Sequence, residues 1–535
     1  MYSMNIKLLD CTLRDGGYNN DWEFGHNTLV NVFDRVVSAG LDFIEIGFLD
    51  QRRPFDINRS IMPNSASANK IYGGLDKKKT EVVAMIDYGT CDIDRILPCS
   101  ESFIDGLRVI FKVELMYEAL EYCRQLKEKG YKVFTQAVSF TAYTDEKIKE
   151  LISLVNEVKP FAVSVVDTYG LMFKGHLFHY YQVIDKYLDA GIGIGYHAHN
   201  NFQLAFSNCI ELATFHANNS RMLLLDGSLF GMGKGCGNAP LELLAMYMND
   251  VFHCHYDLNQ ILEAIDVNVM DLYRQLHWGY SLKGFIAASN DCHPNYVSFL
   301  LDKQTLSVKS INEILKKLKG DAKLLYDQSC IERLYAEYQV NYCKDEDDYK
   351  CLAELLAGKD VMIIGPGMSV TEEADKIAAS IKEFRPIVIA INFIPEQFNI
   401  DYLFLTNSKR YVQQVSHIQE KGNKIKIIAT SNVTKASGSF DFNMDYESLI
   451  DRDAVFIDNS FMMLMKVLRK CAVKKVLLCG LDGYSANREV NYYTSKMEYE
   501  HSRRLGEEIN CDVNKNLVEL RKAMDITFVT TTFYK

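Results

Sequence analysis

Eight short apolar segments, each followed by a stretch with apolar residues at helical spacing, succeed one another between residues 5 and 240. The segments are Ile6–Cys11, Phe43–Phe48, Val82–Asp87, Gly106–Phe111, Lys132–Phe140, Ala162–Asp167, Gly193–His197 and Met222–Asp226. Parallel strands need a crossover, usually a helix, between one strand and the next. An open doubly wound sheet would also alternate in this way, but eight units over this length favour a closed (β/α)8 barrel.

Polar side chains lie at or just beyond the ends of the predicted strands. They are Arg14, Asp15, Glu45, Asp87, Asp167, Tyr169, His197, His199 and Asn238. The carboxyl ends of barrel strands form the face that carries the active site in enzymes of this architecture. The distribution therefore predicts one catalytic face to which most of the strands contribute.

Two histidines and one carboxylate in this set predict a metal site. Residues i and i+2 of a strand point to the same side, so His197 and His199 can face one ion together with Asp15. Taken singly, an Arg-Asp pair can be a surface salt bridge and a His-x-His pair can be structural. Imidazole and carboxylate bind Mg²⁺, Mn²⁺, Fe²⁺, Co²⁺ or Zn²⁺. We expect Mn²⁺ or Mg²⁺, with Zn²⁺ or Co²⁺ as alternatives.

The arginine beside this site indicates the reaction class. Three protein ligands leave positions for a substrate that chelates through two oxygens, as a 2-oxo acid does. The metal would act as a Lewis acid, and the permanently charged Arg14 would hydrogen-bond a developing enolate oxygen. The predicted reaction is cleavage or formation of a carbon–carbon bond through a metal-stabilised enolate.

Four motifs on this face resemble those of the DRE-TIM metallolyases. They are Thr12-Leu13-Arg14-Asp15-Gly16, Ile44-Glu45-Ile46-Gly47-Phe48, His197-Ala198-His199-Asn200 and Gly235-Cys236-Gly237-Asn238-Ala239-Pro240-Leu241-Glu242. That superfamily contains hydroxymethylglutaryl-CoA lyase, isopropylmalate and homocitrate synthases, and 4-hydroxy-2-oxovalerate aldolase. The last motif and the lack of an evident acyl-CoA signature make the chain most similar to the aldolase branch. The resemblance covers residues 5 to about 300.

The resemblance implies roles for individual residues and partners. The metal ligands it implies are Asp15, His197 and His199, with Asn238 in the loop that closes near the metal. Arg14 would stabilise the enolate, and Tyr280 matches a helical tyrosine near the substrate. Asp10 and Glu45 would lie near the substrate or behind the metal ligands, with a structural role as the alternative for both. The implied protein is a homo-oligomeric aldolase, a carbon–carbon lyase, that takes a pyruvate-like 2-oxo acid and an aldehyde.

One position departs from the aldolase pattern. The aldolases carry a histidine four residues after the arginine as the base, and this chain has Tyr18 there. A phenol with a pKa near 10 is a poor base at neutral pH. Either Tyr18 is tuned or assisted, or it only donates a hydrogen bond, or the base lies elsewhere. The alternatives are His26, Tyr169, Tyr196 and Tyr280.

The remainder of the chain predicts two further regions. Residues 251–350 have helical spacing of aromatic and leucine residues and end near a charge run, Lys344 to Asp348, which we take as the boundary. From 351 to 535 a second α/β pattern predicts a Rossmann-like open sheet. Its predicted strands are Val361–Ile364, Ile387–Asn392, Tyr402–Leu405, Ile425–Ala429, Ala454–Ile457, Val476–Cys479 and Ile526–Thr530. The predicted barrel domain is 1–250.

Two turns of the second α/β region predict a nucleotide or nucleotide-sugar site. Gly365, Gly367 and Ser369 lie between a strand and a helix, where backbone N–H groups can hold a phosphate, and Asp482 follows a later strand. Both turns weakly resemble nucleotide-binding domains of glycosylation-associated proteins. NAD is disfavoured, because the second strand ends in Asn392 rather than an acidic residue. A degenerate scaffold is the alternative for this region.

The composition limits the classes of binding partner that we expect. The net charge of −11 argues against a broad nucleic-acid surface, and no apolar run is long enough to cross a membrane. Fourteen cysteines without a CxxC pair predict reduced thiols and a cytoplasmic location. Two alternatives to the aldolase stand beside it: a Claisen-type acyltransferase that condenses acyl-CoA with a 2-oxo acid, and a nucleotide-binding scaffold with an inactive barrel.

Overall fold

The eight predicted barrel strands are all present in the computed structural model, which describes residues 5–323, 326–340, 343–421, 425–433, 440–485, 491–493, 497 and 505–534. The strands are β1 Ile6–Asp10, β2 Phe43–Leu49, β3 Glu81–Asp87, β4 Gly106–Phe111, β5 Lys132–Ala137, β6 Ala162–Asp167, β7 Gly193–Ala198 and β8 Leu223–Gly227. Each pairs in parallel with its neighbours, and β1 pairs with both β2 and β8. The sheet is therefore a closed barrel, as the alternation predicts.

Helices cover the outside of this barrel because each carries an apolar stripe. The helix at His26–Ser38 buries Leu29, Val32, Phe33, Val36 and Val37, the spacing of one helical face. The helices after it are Ser65–Tyr72, Met116–Glu128, Asp145–Val158, Lys174–Tyr187, Ala205–His216 and Leu241–Phe252. Shorter helices follow at Leu258–Ala264, Met270–Leu276 and Leu282–Ser289. The first compact unit ends at Pro294.

The barrel interior changes from apolar to polar along its axis. One inward-facing layer is apolar and consists of Leu9, Cys11, Phe43, Val83, Phe134, Ala162, Met222 and Leu224. Side chains alternate along a strand, so inward positions further along the strands belong to the next layer. We call that layer the polar layer; it contains Glu45, Arg108, Gln136, Ser164 and Asp226, all fully or almost fully buried. The change occurs on the side where the strands end.

The second unit, Asn295–Lys535, is an open sheet of seven parallel strands. They are β9 Val361–Ile364, β10 Ile387–Ile391, β11 Tyr402–Leu405, β12 Lys426–Thr430, β13 Phe442–Met444, β14 Lys475–Cys479 and β15 Asp525–Phe528, in the order β13-β12-β11-β10-β9-β14-β15. The helices, with one that starts at the unit boundary, are Pro294–Asp302, Val308–Leu315, Gln328–Gln339, Glu346–Leu356, Ser369–Glu372, Ala374–Phe384, Ser408–Lys421, Tyr446–Leu449, Ser460–Lys470 and Gly506–Leu520. Two apolar cores flank the sheet, which is the doubly wound architecture.

One predicted strand of the second unit is wrong. Residues 454–457 form turns rather than a strand, and the edge strand is Phe442–Met444 instead. In the turn, Val455 and Ile457 are 49% and 43% exposed, and the Val455 N–H donates to Asp512 at 2.8 Å. The apolar run there is not buried on both faces as a central parallel strand is.

The charge run between the two patterns is the start of a helix. Asp345 precedes the helix Glu346–Leu356, and the carboxylates of Asp345 and Asp348 accept hydrogen bonds from the backbone N–H groups of Asp445 and Asn443 at 3.0 and 2.9 Å. Acidic residues in the first turn stabilise a helix through their interaction with the helix dipole. All the cysteine side chains are free thiols. Among the helices described, none has both the length and the apolar composition that a bilayer crossing needs.

Candidate metal centre

The ends of β1 and β7 bring together the three residues that the sequence predicts as metal ligands. Asp15 ends the single helical turn Thr12–Asp15 after β1, His197 lies in β7, and His199 follows it. All three side chains are buried, and their ligand atoms lie within 4.8 Å of one another. This spacing is that of donors around one cation.

Several buried atoms at this point have no hydrogen-bond partner among the described residues. They are His197 Nε2, His199 Nδ1 and Asn238 Oδ1. A buried polar atom without a partner costs about 1–3 kcal/mol, so such atoms are rare in native proteins. Two imidazole nitrogens, an amide oxygen and the carboxylate of Asp15 are the donor set of a divalent cation, and these residues therefore fit the metal.

The polar layer orients His197. His197 Nδ1 lies 2.9 Å from the Asp226 carboxylate, and in the tautomer that donates this hydrogen bond the lone pair of Nε2 is available to a cation. Arg108 in turn forms ion pairs with Asp226 and, at 3.1 Å, with Glu45. Burial alone would raise the pKa of Asp226, but Arg108 holds it below its usual value. A carboxylate behind a ligating histidine is the usual second partner of metal-bound imidazole.

Arg14 lies between two carboxylates beside the ligand cluster. Its Nε donates to Glu45 at 2.6 Å and its Nη1 donates to Asp15. The guanidinium carbon lies 5.9 Å from the centre of the Phe48 ring, and the backbone carbonyl of Arg14 accepts a hydrogen bond from the indole of Trp22. Arg14 is 4% exposed, and these contacts hold its guanidinium in one orientation.

The loop after β8 closes the centre. Asn238 Nδ2 donates to Asp15 at 2.7 Å, and the backbone N–H of Lys234 donates to the same oxygen at 3.2 Å. A methyl group at Gly233 would lie 2.6 Å from Asp15 Oδ2 and 2.3 Å from Asn238 Nδ2. Only glycine therefore allows this loop to approach the ligands so closely.

The electrostatics favour the protonation states that metal binding requires at two of the candidate ligands, Asp15 and His199. Burial by itself would raise the pKa of Asp15, but the charge of Arg14 and the hydrogen bond from Asn238 lower it far below its usual range. Burial lowers the pKa of His199 to about 3. Asp15 is thus a carboxylate and His199 a neutral imidazole at physiological pH.

Tyr18 lies near the centre, but the pKa of its hydroxyl group is raised, which disfavours a role as a base. Its ring packs edge-on against Trp22 at 4.9 Å, and the Nζ of Lys234 lies 5.2 Å from its centroid. Desolvation raises the pKa of its hydroxyl group, even though the residue is 41% exposed. A phenol whose pKa is raised is a weaker acid and releases its proton less readily at neutral pH. Tyr18 is therefore suited to donate a hydrogen bond.

The other predicted base candidates lie in different environments. Tyr196 points outward into the apolar core between the barrel and its helices, where Asn208 contacts its hydroxyl at 3.3 Å. Burial raises the pKa of Tyr169 to about 12, and His26 begins the helix after β1, where its N–H donates to Asn58. Tyr280 is 63% exposed in the loop next to Ser281, which contacts Cys236.

Two charged residues behind the centre are not predicted by the sequence patterns used above. Arg108 and Asp226 are charged side chains inside apolar strands, and 118 residues separate them along the chain. The signal for Arg108 is its position in Gly106–Phe111, where a single arginine interrupts a buried strand. A charge that is fully buried in a strand requires a charged partner, and that requirement points to a second inward carboxylate.

The predicted phosphate turn of the second unit is filled by the protein itself. Asp482 accepts hydrogen bonds from the backbone N–H of Ser369, at 3.0 Å, and from the Ser369 hydroxyl. Gly365 and Gly367 allow close approach of the Gly480–Asp482 turn, because a methyl group at Gly367 would lie 2.5 Å from Asp482 Oδ1. A carboxylate thus occupies the place where the sequence predicts a phosphate.

The comparisons with known proteins concern the barrel half of the chain. A family model described as HMGL-like matches residues 5–267. An oxaloacetate decarboxylase from Mycobacterium tuberculosis is 23% identical over 48% of this chain and 74% of its own length. A 4-hydroxy-2-oxovalerate aldolase from Pelotomaculum thermopropionicum is 25% identical over 49% of this chain and 76% of its own length. A probable 2-isopropylmalate synthase from Archaeoglobus fulgidus is 25% identical over 46% of this chain and 48% of its own length.

Proposed function

We propose that this chain, whose residues 5–267 match the HMGL-like family model, is a divalent-metal-dependent carbon–carbon lyase that acts on a 2-oxo acid. The reaction is of the aldol type: a 4-hydroxy-2-oxo acid is cleaved to a pyruvate-like 2-oxo acid and an aldehyde, or formed from them. The observation that carries the proposal is the group of buried donor atoms without partners beside a buried arginine.

Asp15, His197, His199 and Asn238 would hold the cation, for which we propose Mn²⁺ or Mg²⁺. Such a cation supplies Lewis-acid stabilisation of negative charge on the oxygens of a 2-oxo acid. The carboxylate behind His197 and the amide that contacts Asp15 keep these donors in place before the ligand arrives. Preorganised donors cost no reorganisation during the reaction.

Arg14 would act on the charge that develops when the carbon–carbon bond breaks. The proton of the 4-hydroxyl group passes to a base, that group becomes the carbonyl of the aldehyde, and the electron pair of the broken bond moves onto the 2-oxo group, whose oxygen becomes negative. Glu45 and Asp15 take hydrogen bonds from Nε and Nη1, so the remaining N–H groups of the guanidinium are held in one orientation. A donor fixed in this way stabilises an enolate oxygen more than it stabilises the ground-state carbonyl.

Two residues at the mouth of the centre would contact the substrate. The Nζ of Lys234 lies over the ring of Tyr18, so the two side chains form one surface beside Asp15. Lys234 supplies a cation for the carboxylate of a 2-oxo acid. Tyr18 donates a hydrogen bond, because its raised pKa keeps the hydroxyl protonated.

The test is release of pyruvate from a panel of 4-hydroxy-2-oxo acids by the full chain, with Mn²⁺ or with EDTA. We expect release that requires the metal and that Asp15→Asn abolishes. Asp34→Asn is the matched control, since Asp34 is an exposed aspartate on the helix His26–Ser38. Metal-loaded protein that releases pyruvate from none of the panel contradicts the proposal.

Two further assays separate the neighbouring activities. Free thiol release from acetyl-CoA in the presence of 2-oxo acids would identify a Claisen condensation. Carbon dioxide release from oxaloacetate, without aldol cleavage, would identify a decarboxylase. Either result, without pyruvate release from the hydroxy acids, replaces the aldolase proposal.

A further inference from the structure

A cavity lies at the carboxyl ends of the strands in the second unit. Residues that end or follow four strands line it: Pro366 and Gly367 after β9, Ile391 and Asn392 at β10, Thr406 and Asn407 after β11, and Gly480 to Tyr484 after β14. In the sheet, β9 lies between β10 and β14, so the chain order reverses on the two sides of β9. Ligands of open parallel sheets bind in the crevice at such a reversal point.

One wall of the cavity is a cluster of hydroxyl and amide groups. Asn392 Nδ2 donates to Thr406 Oγ1 at 3.1 Å and to Ser460 Oγ at 2.9 Å, and the two hydroxyls are 2.7 Å apart. Asn392 and Thr406 are almost completely buried. These hydrogen bonds hold the groups in fixed positions. Because this wall carries no charged group, it is suited to bind an uncharged polar part of a ligand.

Two cations also line the cavity. Arg410 is 3% exposed and donates to the backbone carbonyl of Met497 at 2.9 Å. Lys303 extends past the ring of Phe299, which its Nζ approaches at 4.5 Å. The carboxylates that line the same cavity are engaged, since Asp482 bonds to Ser369 and Asp458 accepts from Tyr446 at 3.1 Å. Two cations and two carboxylates therefore line the cavity, and an anionic group of a ligand is favoured beside Lys303 and Arg410.

Two helices begin at the cavity and add to its positive potential. Ser408–Lys421 starts directly after Thr406 and Asn407, and Ser460–Lys470 starts at the hydroxyl cluster. The N-terminus of a helix carries a partial positive charge of about half a unit and favours anions. Arg410 lies in the first turn of Ser408–Lys421, and Lys303 acts on the charge of Asp458, which lies two residues before Ser460–Lys470.

Aromatic rings form the remaining wall. Phe456, Phe461, Tyr484, Tyr492 and Tyr534 all line the cavity, and the rings of Tyr484 and Tyr492 lie 6.2 Å apart in an edge-to-face arrangement. Flat apolar surfaces of this kind stack on the ring of a nucleobase. A cavity with aromatic, hydroxyl and cationic walls matches the base, the ribose and the phosphate of one compound.

We propose that this cavity binds a nucleotide, with its phosphate toward Lys303 and Arg410 and its base against the tyrosines. The cavity, and not the Gly365–Ser369 turn, takes the phosphate, because the Asp482 carboxylate already holds the Ser369 N–H. All the residues that line this cavity belong to the second unit, so the variants that test it differ from those that test the proposed lyase activity.

The test is isothermal titration of the full chain, stripped of metal with EDTA, with ADP, UDP, GDP, CMP and inorganic pyrophosphate as separate probes. We expect at least one nucleotide to bind with a dissociation constant below about 1 mM. Lys303→Gln should weaken that binding about tenfold or more, since it removes a charge-assisted contact. Thr406→Val is a second cavity variant, and Lys309→Gln is the matched control because Lys309 is an exposed lysine of the same unit.

Each other outcome overturns the proposal. No heat with any nucleotide means that the cavity does not take this class of ligand. Binding that neither Lys303→Gln nor Thr406→Val weakens places the nucleotide elsewhere. Equal affinity for inorganic pyrophosphate and for the best nucleotide means that the site recognises an anion only. Thermal melting of each variant distinguishes a lost contact from a lost fold.

Discussion

The two units both place polar residues at the carboxyl ends of parallel strands, yet the two sets differ in how their hydrogen bonds are completed. In the barrel, buried atoms of His197, His199 and Asn238 have no partner among the described residues. In the second unit, Asp482 is bonded to Ser369, and Asn392 to the hydroxyls around it. An incomplete set is suited to a ligand that supplies the missing bonds, whereas a complete one recognises a ligand by shape and surface charge.

This difference separates two kinds of site that look alike in a sequence. A carboxylate after a strand is a proposed metal ligand in one unit and a structural acceptor in the other. What distinguishes Asp15 from Asp482 is the chemistry of the neighbours: histidines and an arginine beside Asp15, and a serine beside Asp482. The predictions below test the contrast.

Removal of one barrel donor should break the contrast most strongly. In His197→Ala we expect metal content after dialysis to fall to about a tenth or less and activity to fall about 10³-fold or more, because a ligand is lost. Elemental analysis and the pyruvate assay measure the two. His179→Ala is the control, since His179 is exposed and pairs only with Asp145 among the described ion pairs. Full metal retention in His197→Ala would refute the assignment.

Arg14→Gln should separate chemistry from metal binding. We expect the metal to stay bound while turnover falls about 10²–10³-fold, the cost of one preorganised donor at a developing oxyanion. Turnover is compared with metal content in the same preparations. Arg53→Gln provides a matched exposed arginine, which pairs with Asp21. A loss of metal in proportion to the loss of activity would instead make Arg14 a structural residue.

Asp226→Asn tests whether the polar layer positions His197. The amide no longer accepts strongly from Nδ1 and no longer balances Arg108, so metal affinity should fall about 10- to 100-fold. Metal titration measures it, and excess metal should restore activity. Asp185→Asn, at an aspartate paired with Arg221 away from the centre, should leave the affinity unchanged. Unchanged affinity in Asp226→Asn would contradict the positioning role.

Asp10, a carboxyl group next to the centre but outside it, should make the stability of the barrel depend on pH. Burial raises the pKa of Asp10 from 3.8 to about 7. The folded state therefore holds this proton more tightly, and the stability that Asp10 contributes is lost as pH rises from about 4 to about 7. Relative to wild type, Asp10→Asn should be about 1–3 kcal/mol more stabilising at pH 8 than at pH 5.

The readout for Asp10 is tryptophan fluorescence during urea unfolding. The chain has two tryptophans, Trp22 and Trp278, and both lie in the first unit, so the signal reports the barrel. Equal differences between variant and wild type at the two pH values would show that the pKa of Asp10 is not raised.

The smallest expected effect belongs to the second unit. Ser369→Ala removes the hydroxyl that bonds to Asp482 and to Thr530, at 3.0 Å, and should cost about 1 kcal/mol. Faster hydrogen exchange of the β9 and β14 amides measures it, and the tryptophan transition should not move. A change in metal content of this variant would contradict the separation of the two sites.

The sequence predicts the barrel strands closely because each is an apolar run with helical spacing after it. It fails at residues 454–457, where an apolar run is too short for its burial to be inferred, and at Phe442–Met444, an edge strand of three residues. The grouping of Asp15, His197 and His199 is predicted by the i, i+2 spacing of the histidines and by the position of all three at strand ends. Arg108 and Asp226 do not, because their pairing across the barrel depends on closure, which local patterns do not contain.

The closure between β1 and β8 has a consequence for the protein during its synthesis. Asp15 lies near the start of the chain, the histidines lie near residue 198, and Asn238 follows the last strand of the barrel. A ribosome-bound chain that has exposed only the first six strands contains one donor of the four. The proposed metal site would therefore be complete only after almost the whole barrel has emerged, and a bound ion would mark chains whose first and last strands have paired.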